Sequence, residues 1–141
     1  MAIELPPQKR EELIQRLREH LTHRDEICFA FLHGSFVDSV PFNDLDMALY
    51  LYPSVFDAYS PNDTFAYEMD LSTELTLTLH VPVDIKVLNE APIGFQHAVF
   101  RFGKVLFARD DIVLSDHIER ISREYLDFSH HLTAYLEALI Q

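Results

Sequence analysis

The feature that most constrains the fold is a run of six apolar residues, ICFAFL, over residues 27–32. A run this short and continuous is typical of a β-strand with both faces buried. Such a strand needs packing layers on both sides of its sheet, and helices are the usual way to supply them. The run ends at His33-Gly34-Ser35, where we expect the chain to turn.

Two later segments alternate between apolar and polar residues, as strands with one buried face do. The first is DLDMALYLY from residue 44, where Asp44 and Asp46 fall on one face and the intervening leucines and methionine on the other. The second is VPVDIKVL over residues 81–88, in which Asp84 and Lys86 share the polar face. These patterns predict a second and a third strand.

Helical patterns fill most of the remaining chain. Apolar residues recur every three or four positions over residues 11–21, 89–102 and 112–140, which predicts three helices, and residues 105–108 could add a short edge strand. Residues 64–80 fit a helix in their first part and a strand in their second, so periodicity does not decide between them. The order of elements predicts a small α+β (mixed α/β) fold.

Charge and composition narrow the classes of partner. The 141 residues contain 11 Lys and Arg against 23 Asp and Glu, a formal charge of −12, so we expect no binding to nucleic acid through its phosphates. The single cysteine, Cys28, allows no internal disulfide and fits a reducing compartment. No stretch reaches the roughly 20 apolar residues of a membrane span. We therefore expect a cytoplasmic protein without membrane contact, folded as one domain over residues 1–141.

Three carboxylates are candidates for a metal site. Asp44 and Asp46, two positions apart on one strand, point the same way and could share a divalent cation, and hard oxygen ligands favour Mg²⁺ over Zn²⁺. The same pair could instead face solvent at the exposed start of a strand. Asp84 offers a third carboxylate on another strand, unless Lys86, two positions along, simply neutralises it.

The Gly34-Ser35 pair follows the buried strand at the point where the chain turns. Backbone N–H groups and one hydroxyl can approach an anion closely at such a turn, particularly where a helical turn follows. The alternative is a tight turn with a solvated serine. Taken alone, the pair does not decide between these interpretations.

Together, these residues resemble the minimal nucleotidyltransferase (MNT) family of the DNA polymerase β superfamily. The resemblance rests on HGSFVDSVPFNDLDMALYL and on VPVDIKVLNEAPIGFQHAVFRFGKVLFARDD, and it spans Ile27 to about Asp111. It implies a small nucleotidyltransferase fold with a short mixed sheet flanked by helices, a core over about residues 27–111 and a C-terminal helix over about 112–140. It also implies that residues 64–80 are mostly helix.

The resemblance further implies roles for the site residues. Gly34 and Ser35 would bind the phosphates of ATP, the nucleotide substrate. Asp44, Asp46 and Asp84 would be the catalytic carboxylates and would hold two Mg²⁺ ions. The activity implied is nucleotidyl transfer.

Two features depart from the common family pattern. The loop between the Gly-Ser pair and the Asp-x-Asp motif, Phe36–Asn43, is shorter than members commonly have, so it must close more tightly over the triphosphate. Many members also carry an arginine just after the Gly-Ser pair, where this chain has Phe36, Val37 and Asp38. A negative charge thus stands where a positive contact to phosphate is common.

Small members of the family commonly act as antitoxins of HEPN-domain ribonuclease toxins, and some transfer AMP from ATP to a tyrosine of the toxin. The resemblance therefore implies a HEPN toxin as partner and protein adenylyltransferase as activity. The charge of −12 suits a toxin with a basic RNA-binding surface, and the second half of the C-terminal helix projects far enough to offer it an apolar surface.

Two alternatives to this function stay open at the level of sequence. The first is a catalytically inactive MNT-fold antitoxin that neutralises its toxin by binding alone. The second is a small-molecule (antibiotic) nucleotidyltransferase, which the lack of a second substrate-binding domain disfavours.

Overall fold

The computed structural model describes residues 2–140 and folds them around a four-stranded mixed sheet with helices on both faces. The elements are, in chain order, β1 (Ile3–Glu4), α1 (Pro7–Thr22), β2 (Ile27–His33), α2 (Ser35–Asp38), β3 (Pro41–Phe42), β4 (Leu45–Leu51), α3 (Pro53–Phe56), α4 (Pro61–Leu79), β5 (Val83–Val87), α5 (Ile93–Phe102), β6 (Lys104–Ala108) and α6 (Asp111–Ile140). This arrangement confirms the predicted α+β class and the long C-terminal helix, α6.

β2 is a central strand of the sheet, whose order is β5-β4-β2-β6. It pairs antiparallel with both β4 and β6, whereas β4 and β5 run parallel. Every residue of β2 except His33 is buried, as the continuous apolar run predicted. A strand covered by helices on both faces has no place for solvated side chains. β1 and β3 form a separate two-stranded ribbon.

Most of residues 64–80 belong to α4, so this segment is helical, as the family resemblance implied. The helix begins with a capping box, in which the Ser60 hydroxyl accepts a hydrogen bond from the Asp63 N–H and the Asp63 carboxylate accepts one from the Ser60 N–H. Pro61 occupies the first turn, where it costs no hydrogen bond. The buried leucines of α4 recur every four residues on one helical face, whereas Leu77, which belongs to the alternating run that suggested a strand, is exposed.

α4 also runs along the outer edge of β5 and satisfies the N–H groups of that edge. Side chains four residues apart on α4 accept hydrogen bonds from every second residue of β5. The spacing matches because four residues of a helix and two residues of a strand span similar lengths. The pairs are Glu68 with Val87 at 2.7 Å, Ser72 with Ile85 at 2.9 Å, and Thr76 with Val83 at 3.0 Å. At the opposite edge of the sheet, Arg18 of α1 donates to the Leu106 carbonyl oxygen of β6 at 3.0 Å.

Apolar cores lie on both faces of the sheet. Leucines of α1 and α4 pack on one face against apolar residues of β4 and β5. On the other face, α5 and α6 cover aromatic residues of β2, chiefly Phe29 and Phe31. Cys28 is buried in this second core as a free thiol, and burial raises its pKa.

A buried histidine joins α6 to α5 and to the sheet. His117 Nε2 lies 2.9 Å from Gln96 Oε1, and Arg120 donates to His117 Nδ1 at 3.0 Å. Gln96 in turn donates to the Ala91 carbonyl oxygen at 2.9 Å. Because Nδ1 is the acceptor, Nε2 carries the proton. Burial, together with Arg120, lowers the pKa of His117 to about 4, so the ring is neutral near pH 7.

Only the first half of α6 packs against the rest of the chain. His117 and Ile121 are its buried residues, whereas the large apolar side chains beyond residue 125 are exposed. These are Leu126, Phe128, Leu132, Tyr135, Leu136, Leu139 and Ile140. The prediction that the second half projects is confirmed. Among the described residues, no helix is both long and apolar enough to span a membrane.

Candidate active site

A row of three polar side chains crosses the sheet at the start of β4. In the register of the strands, Asp84 of β5 is opposite Asp46 of β4, and Asp46 is opposite His33 of β2. Residues paired across neighbouring strands project from the same face of a sheet, so the three side chains lie side by side. The topology thus brings together the two carboxylates that the sequence placed on separate strands.

Asp44 lies one residue before β4, so the expectation that the strand begins at this residue is wrong by one position. Its carboxyl nevertheless lies close enough to the row for its negative charge to act on Asp46. Burial raises the pKa of Asp46 to about 6, the charges of Asp44 and Asp84 add to the effect, and Lys86 opposes it. The three candidate carboxylates therefore act on one another.

These carboxylates suit a hard divalent cation. Within residues 2–140, no group of three or more His, Cys, Asp or Glu side chains is arranged to hold a metal ion unaided. Mg²⁺ is commonly held by one or two carboxylates together with substrate phosphates and water, rather than by a cage made only of protein. Asp46, partly buried beside two like charges, gains from a cation because a positive charge favours its ionised form. The donor set fits magnesium that arrives with phosphate oxygens.

Gly34 lies against this row and has to be glycine. Its backbone, at φ 73° and ψ −154°, is in a region that essentially only glycine adopts. A Cβ added at this position would stand 2.2 Å from Asp46 Oδ2. The Gly-Ser turn therefore comes closer to the carboxylate than any other residue would allow.

Ser35 begins the single helical turn α2 and closes the short loop that follows. Its Oγ accepts a hydrogen bond from the Asn43 N–H at 3.1 Å, which ties the two ends of the loop together. The N–H groups of Val37 and Asp38 donate to the Gly34 carbonyl oxygen at 3.0 and 3.2 Å. A helical turn takes up chain compactly, and this explains how a loop of this length closes.

Arg10 of α1 also contacts the loop, although no sequence pattern pointed to it. Its guanidinium donates to the carbonyl oxygens of Phe36 and Val40 and lies 4.1 Å from the centre of the Phe36 ring. Arg10 belongs to a helix well before the Gly-Ser pair, so only the tertiary fold brings it to this position. A cation thus supports the loop through its backbone, in a chain that lacks the arginine common after the Gly-Ser pair.

His33 is the histidine of the row, and its environment is unusual. Its Nε2 is buried and has no hydrogen-bond partner among the described residues. Burial lowers its pKa, and the charges of Asp84 and Asp44 oppose that effect. The ring stands edge-on to Phe95 of α5, with 5.6 Å between the ring centres. A buried polar atom without a partner is expensive in a fold and is a common mark of a binding site.

A small cavity adjoins the row, a larger one lies beside β5, and Phe95 lines both. The smaller, of about 220 Å³, lies at the Gly-Ser turn and is lined in part by His33, Gly34 and Asp38. The larger, of about 500 Å³, lies beside β5. Its lining includes Phe56, Tyr59, Phe65, Glu68, Lys86, Glu90 and Phe95. Neither cavity could be predicted from the sequence, because their walls come from elements that are far apart in the chain.

The sequence matches the family described as "Polymerase beta, Nucleotidyltransferase" over residues 15–112, which is more than half of the chain. The matched segment contains the Gly-Ser turn and all three carboxylates. No curated protein sequence matches the chain significantly.

Solved structures show the same fold at low sequence identity. A chain of the tri-AMPylated Shewanella oneidensis HEPN toxin in complex with MNT antitoxin is 16% identical, with a TM-score of 0.70, covering 94% of this chain and 99% of that one. A chain of the toxin-antitoxin MntA-HepT is 18% identical, with a TM-score of 0.61 and coverages of 92% and 95%. A toxin-antitoxin structure with AMP-PNP also matches, at 18% identity and a TM-score of 0.57, covering 96% of both chains.

Proposed function

The chain belongs to the polymerase β nucleotidyltransferase family, and we propose that it is an antitoxin that transfers AMP from ATP to a tyrosine hydroxyl of a HEPN ribonuclease toxin. The observation that carries the proposal is the row of Asp84, Asp46 and His33 beside Gly34. It combines carboxylates whose like charges favour binding of a cation with a glycine turn that lines a cavity.

Each residue of the candidate site would have a separate role in nucleotidyl transfer, given by its position. Asp44 and Asp46 would hold both metal ions, Asp84 would complete the site on the side of the attacking oxygen, and the Gly34-Ser35 turn would bind the β- and γ-phosphates. Two magnesium ions, when bound, stabilise the charge that develops on the attacking and leaving oxygens. We place the parts in this order because Gly34 follows one end of the row and Asp84 forms the other.

The chemical step itself requires only a carboxylate base. The bond between the tyrosine oxygen and the α-phosphorus forms as the bond from that phosphorus to the bridging oxygen breaks, and pyrophosphate leaves with that electron pair. Asp84 takes the phenolic proton, since it lies at the end of the row away from the Gly-Ser turn. Neither a lysine nucleophile nor a histidine base is needed.

Charge and surface support a toxin as the acceptor. The chain carries a formal charge of −12, which attracts a basic RNA-binding protein and opposes RNA at the same surface. The exposed apolar side of the second half of α6 offers a surface for a partner helix. Structurally similar chains come from a complex of tri-AMPylated HEPN toxin with MNT antitoxin and from a toxin-antitoxin structure with AMP-PNP.

A second candidate function is neutralisation by binding without transfer. The observation that favours it is Asp38, which lines the small cavity next to Gly34 and adds negative charge where phosphates would bind. Phosphate binding there would have to overcome that repulsion. In this alternative, the acidic chain would occupy the RNA-binding surface of the toxin and leave it unmodified.

The decisive test is the double variant Asp44→Asn with Asp46→Asn, assayed with labelled ATP, Mg²⁺ and the HEPN partner. We expect transfer to fall by at least about 10³-fold, because the charge on the reacting phosphate is no longer balanced. We expect the metal-free variant to be more stable by about 1 kcal/mol, because like charges no longer repel. Asp116→Asn, an exposed change on α6, is the matched control and should transfer at the normal rate.

The outcomes separate the candidate functions. Normal transfer by the double variant would contradict the catalytic proposal. Tight binding of the HEPN partner by the unmodified chain, with no label transferred, would establish the binding-only alternative. Label on an added aminoglycoside would instead support a small-molecule nucleotidyltransferase.

A further inference from the structure

The larger cavity, beside β5, has features of a subsite for an aromatic group. Its volume is about 500 Å³, and rings from three elements and a connecting segment line it, namely Phe56, Tyr59, Phe65 and Phe95. Aromatic side chains favour another ring at offset or edge-to-face geometry. Phe65 is 62% exposed, so it stands at the mouth of the cavity rather than in the core.

The cavity lies near the Asp84 end of the row, although none of the three residues of the row lines it. Lys86 lines it, and Lys86 lies two residues beyond Asp84 on the same face of β5, a distance of roughly 6.5–7 Å along a strand. Phe95 lines it as well and contacts His33 through its ring. Lys86 and Phe95 therefore connect the lining of the cavity to the candidate site.

The stereochemistry of transfer assigns the two ends of the row to different substrates. In an in-line displacement at phosphorus, the attacking and leaving oxygens lie on opposite sides of the reacting atom. Gly34 is at one end of the row, where the pyrophosphate would leave, and Asp46 is in the middle. The attacking hydroxyl would therefore arrive at the Asp84 end, and β5, which carries Asp84, also borders the large cavity through Lys86.

We infer that this cavity is the acceptor subsite and takes the phenol ring of a tyrosine on a positively charged segment of the HEPN partner. The inference rests on the proposed transfer. Lys86 would stand near the phenolic oxygen, where an ammonium group favours loss of the proton. Glu68 and Glu90 give the lining an acidic character that suits basic residues flanking the tyrosine.

The test uses Phe65→Ala, which removes a ring from the cavity without disturbing the core because the residue is exposed and alanine suits a helix. We expect the KM for the HEPN partner to rise about tenfold through loss of the ring contact, with kcat and the KM for ATP unchanged. Phe65→Tyr keeps the ring and should restore the normal KM. Leu77→Ala, on the same helix, 71% exposed and outside the cavity lining, is the matched control.

The other outcomes are equally informative. A raised KM for ATP with a normal KM for the partner would overturn the inference and place the nucleotide base in the cavity. Equal KM values for the Phe65→Ala and Leu77→Ala variants would overturn it as well. If the unmodified chain transfers nothing, the proposed function fails first. Calorimetric binding of the partner then decides, because unchanged affinity of the Phe65→Ala variant would show that no partner side chain occupies the cavity.

Discussion

Two histidines at the same sheet have opposite environments. Both ring nitrogens of His117 are paired, with Gln96 and with Arg120, whereas the buried Nε2 of His33 has no partner among the described residues. The first joins helices to the sheet, and the second lies in the row with the carboxylates. The ring of His117 is fully bonded within the fold, whereas His33 at the candidate site keeps a nitrogen that a ligand can bind.

The same contrast holds for charge. Burial keeps His117 neutral, so this part of the core contains no unbalanced charge from the ring. Asp46 is also partly buried, yet two neighbouring carboxylates add repulsion to the cost of burial and raise its pKa to about 6. An arrangement that is unfavourable for the isolated chain becomes favourable when a cation binds. Three experiments can break or sharpen this comparison.

The largest effect is expected from Gly34→Ala, a substitution in the candidate active site. The new Cβ would stand 2.2 Å from Asp46 Oδ2 and the backbone would be strained, so we expect unfolding free energy to fall by about 2–3 kcal/mol. We expect transfer to fall by about 10²-fold, because displaced catalytic groups lose their alignment. Urea unfolding and labelled-ATP assays measure both quantities.

Gly94→Ala is the matched control, since nothing lies within 4 Å of a Cβ added there. It should leave transfer unchanged and stability within about 0.5 kcal/mol of the unmodified chain. A Gly34→Ala variant that behaves like Gly94→Ala would show that the turn does not have to approach Asp46.

The next effect compares the two histidines directly by replacing each with leucine. His117→Leu leaves Gln96 and Arg120 without their partner, so we expect a loss of about 2–3 kcal/mol in unfolding free energy. His33→Leu removes a buried nitrogen that has no partner, so we expect a change within about 1 kcal/mol. Equal losses in the two variants, measured by urea unfolding, would refute the distinction between a satisfied and an unsatisfied histidine.

The smallest effect is the pH dependence of stability without metal. The pKa of His117 is about 4 in the folded chain, below its value in the unfolded chain. Its contribution to the free energy of unfolding is therefore full above about pH 6.5 and falls by roughly 2 kcal/mol between pH 7 and 5. The folded pKa of Asp46, about 6, lies above its unfolded value, so its contribution is full at low pH and is lost as the pH rises through 6. The two residues therefore change the free energy of unfolding in opposite directions as the pH falls. The change due to Asp46 is about half as large, because solvent screens this partly exposed carboxyl group.

Single variants separate these trends. Between pH 7 and 5, His117→Leu should become more stable, because only the Asp46 contribution remains. Asp46→Asn should lose more stability than the unmodified chain over the same interval. Identical pH profiles for the two variants, measured by urea unfolding, would contradict the assigned pKa shifts.

The pattern of apolar and polar residues along the chain predicted the elements whose burial depends on neighbouring positions in the sequence. The run over residues 27–32 identified β2, and the Asp84 and Lys86 alternation identified β5, because burial on one or both faces leaves a periodic trace. The pattern of residues 64–80 did not decide between helix and strand. The capping box that ends this ambiguity begins at Ser60, outside the ambiguous segment.

The sequence was less informative about the site. The Asp-x-Asp spacing predicted that Asp44 and Asp46 point the same way, and the charge of Asp44 does act on Asp46. The pairing of Asp46 with Asp84 depends on strand register, which no local pattern encodes. The contacts of Arg10 and His117 are formed across the fold and were not foreseen. The roles of the three carboxylates in metal binding and transfer remain predictions.

The hydrogen bonds along the outer strands bear on how this protein can associate. Glu68, Ser72 and Thr76 occupy the N–H groups on the free side of β5, and Arg18 occupies a carbonyl oxygen of β6. An incoming peptide would have to displace these side chains before it could extend the sheet. Lateral growth into ribbons or fibrils is disfavoured for the same reason, and complexes should form through helical surfaces, leaving the backbone ladder intact.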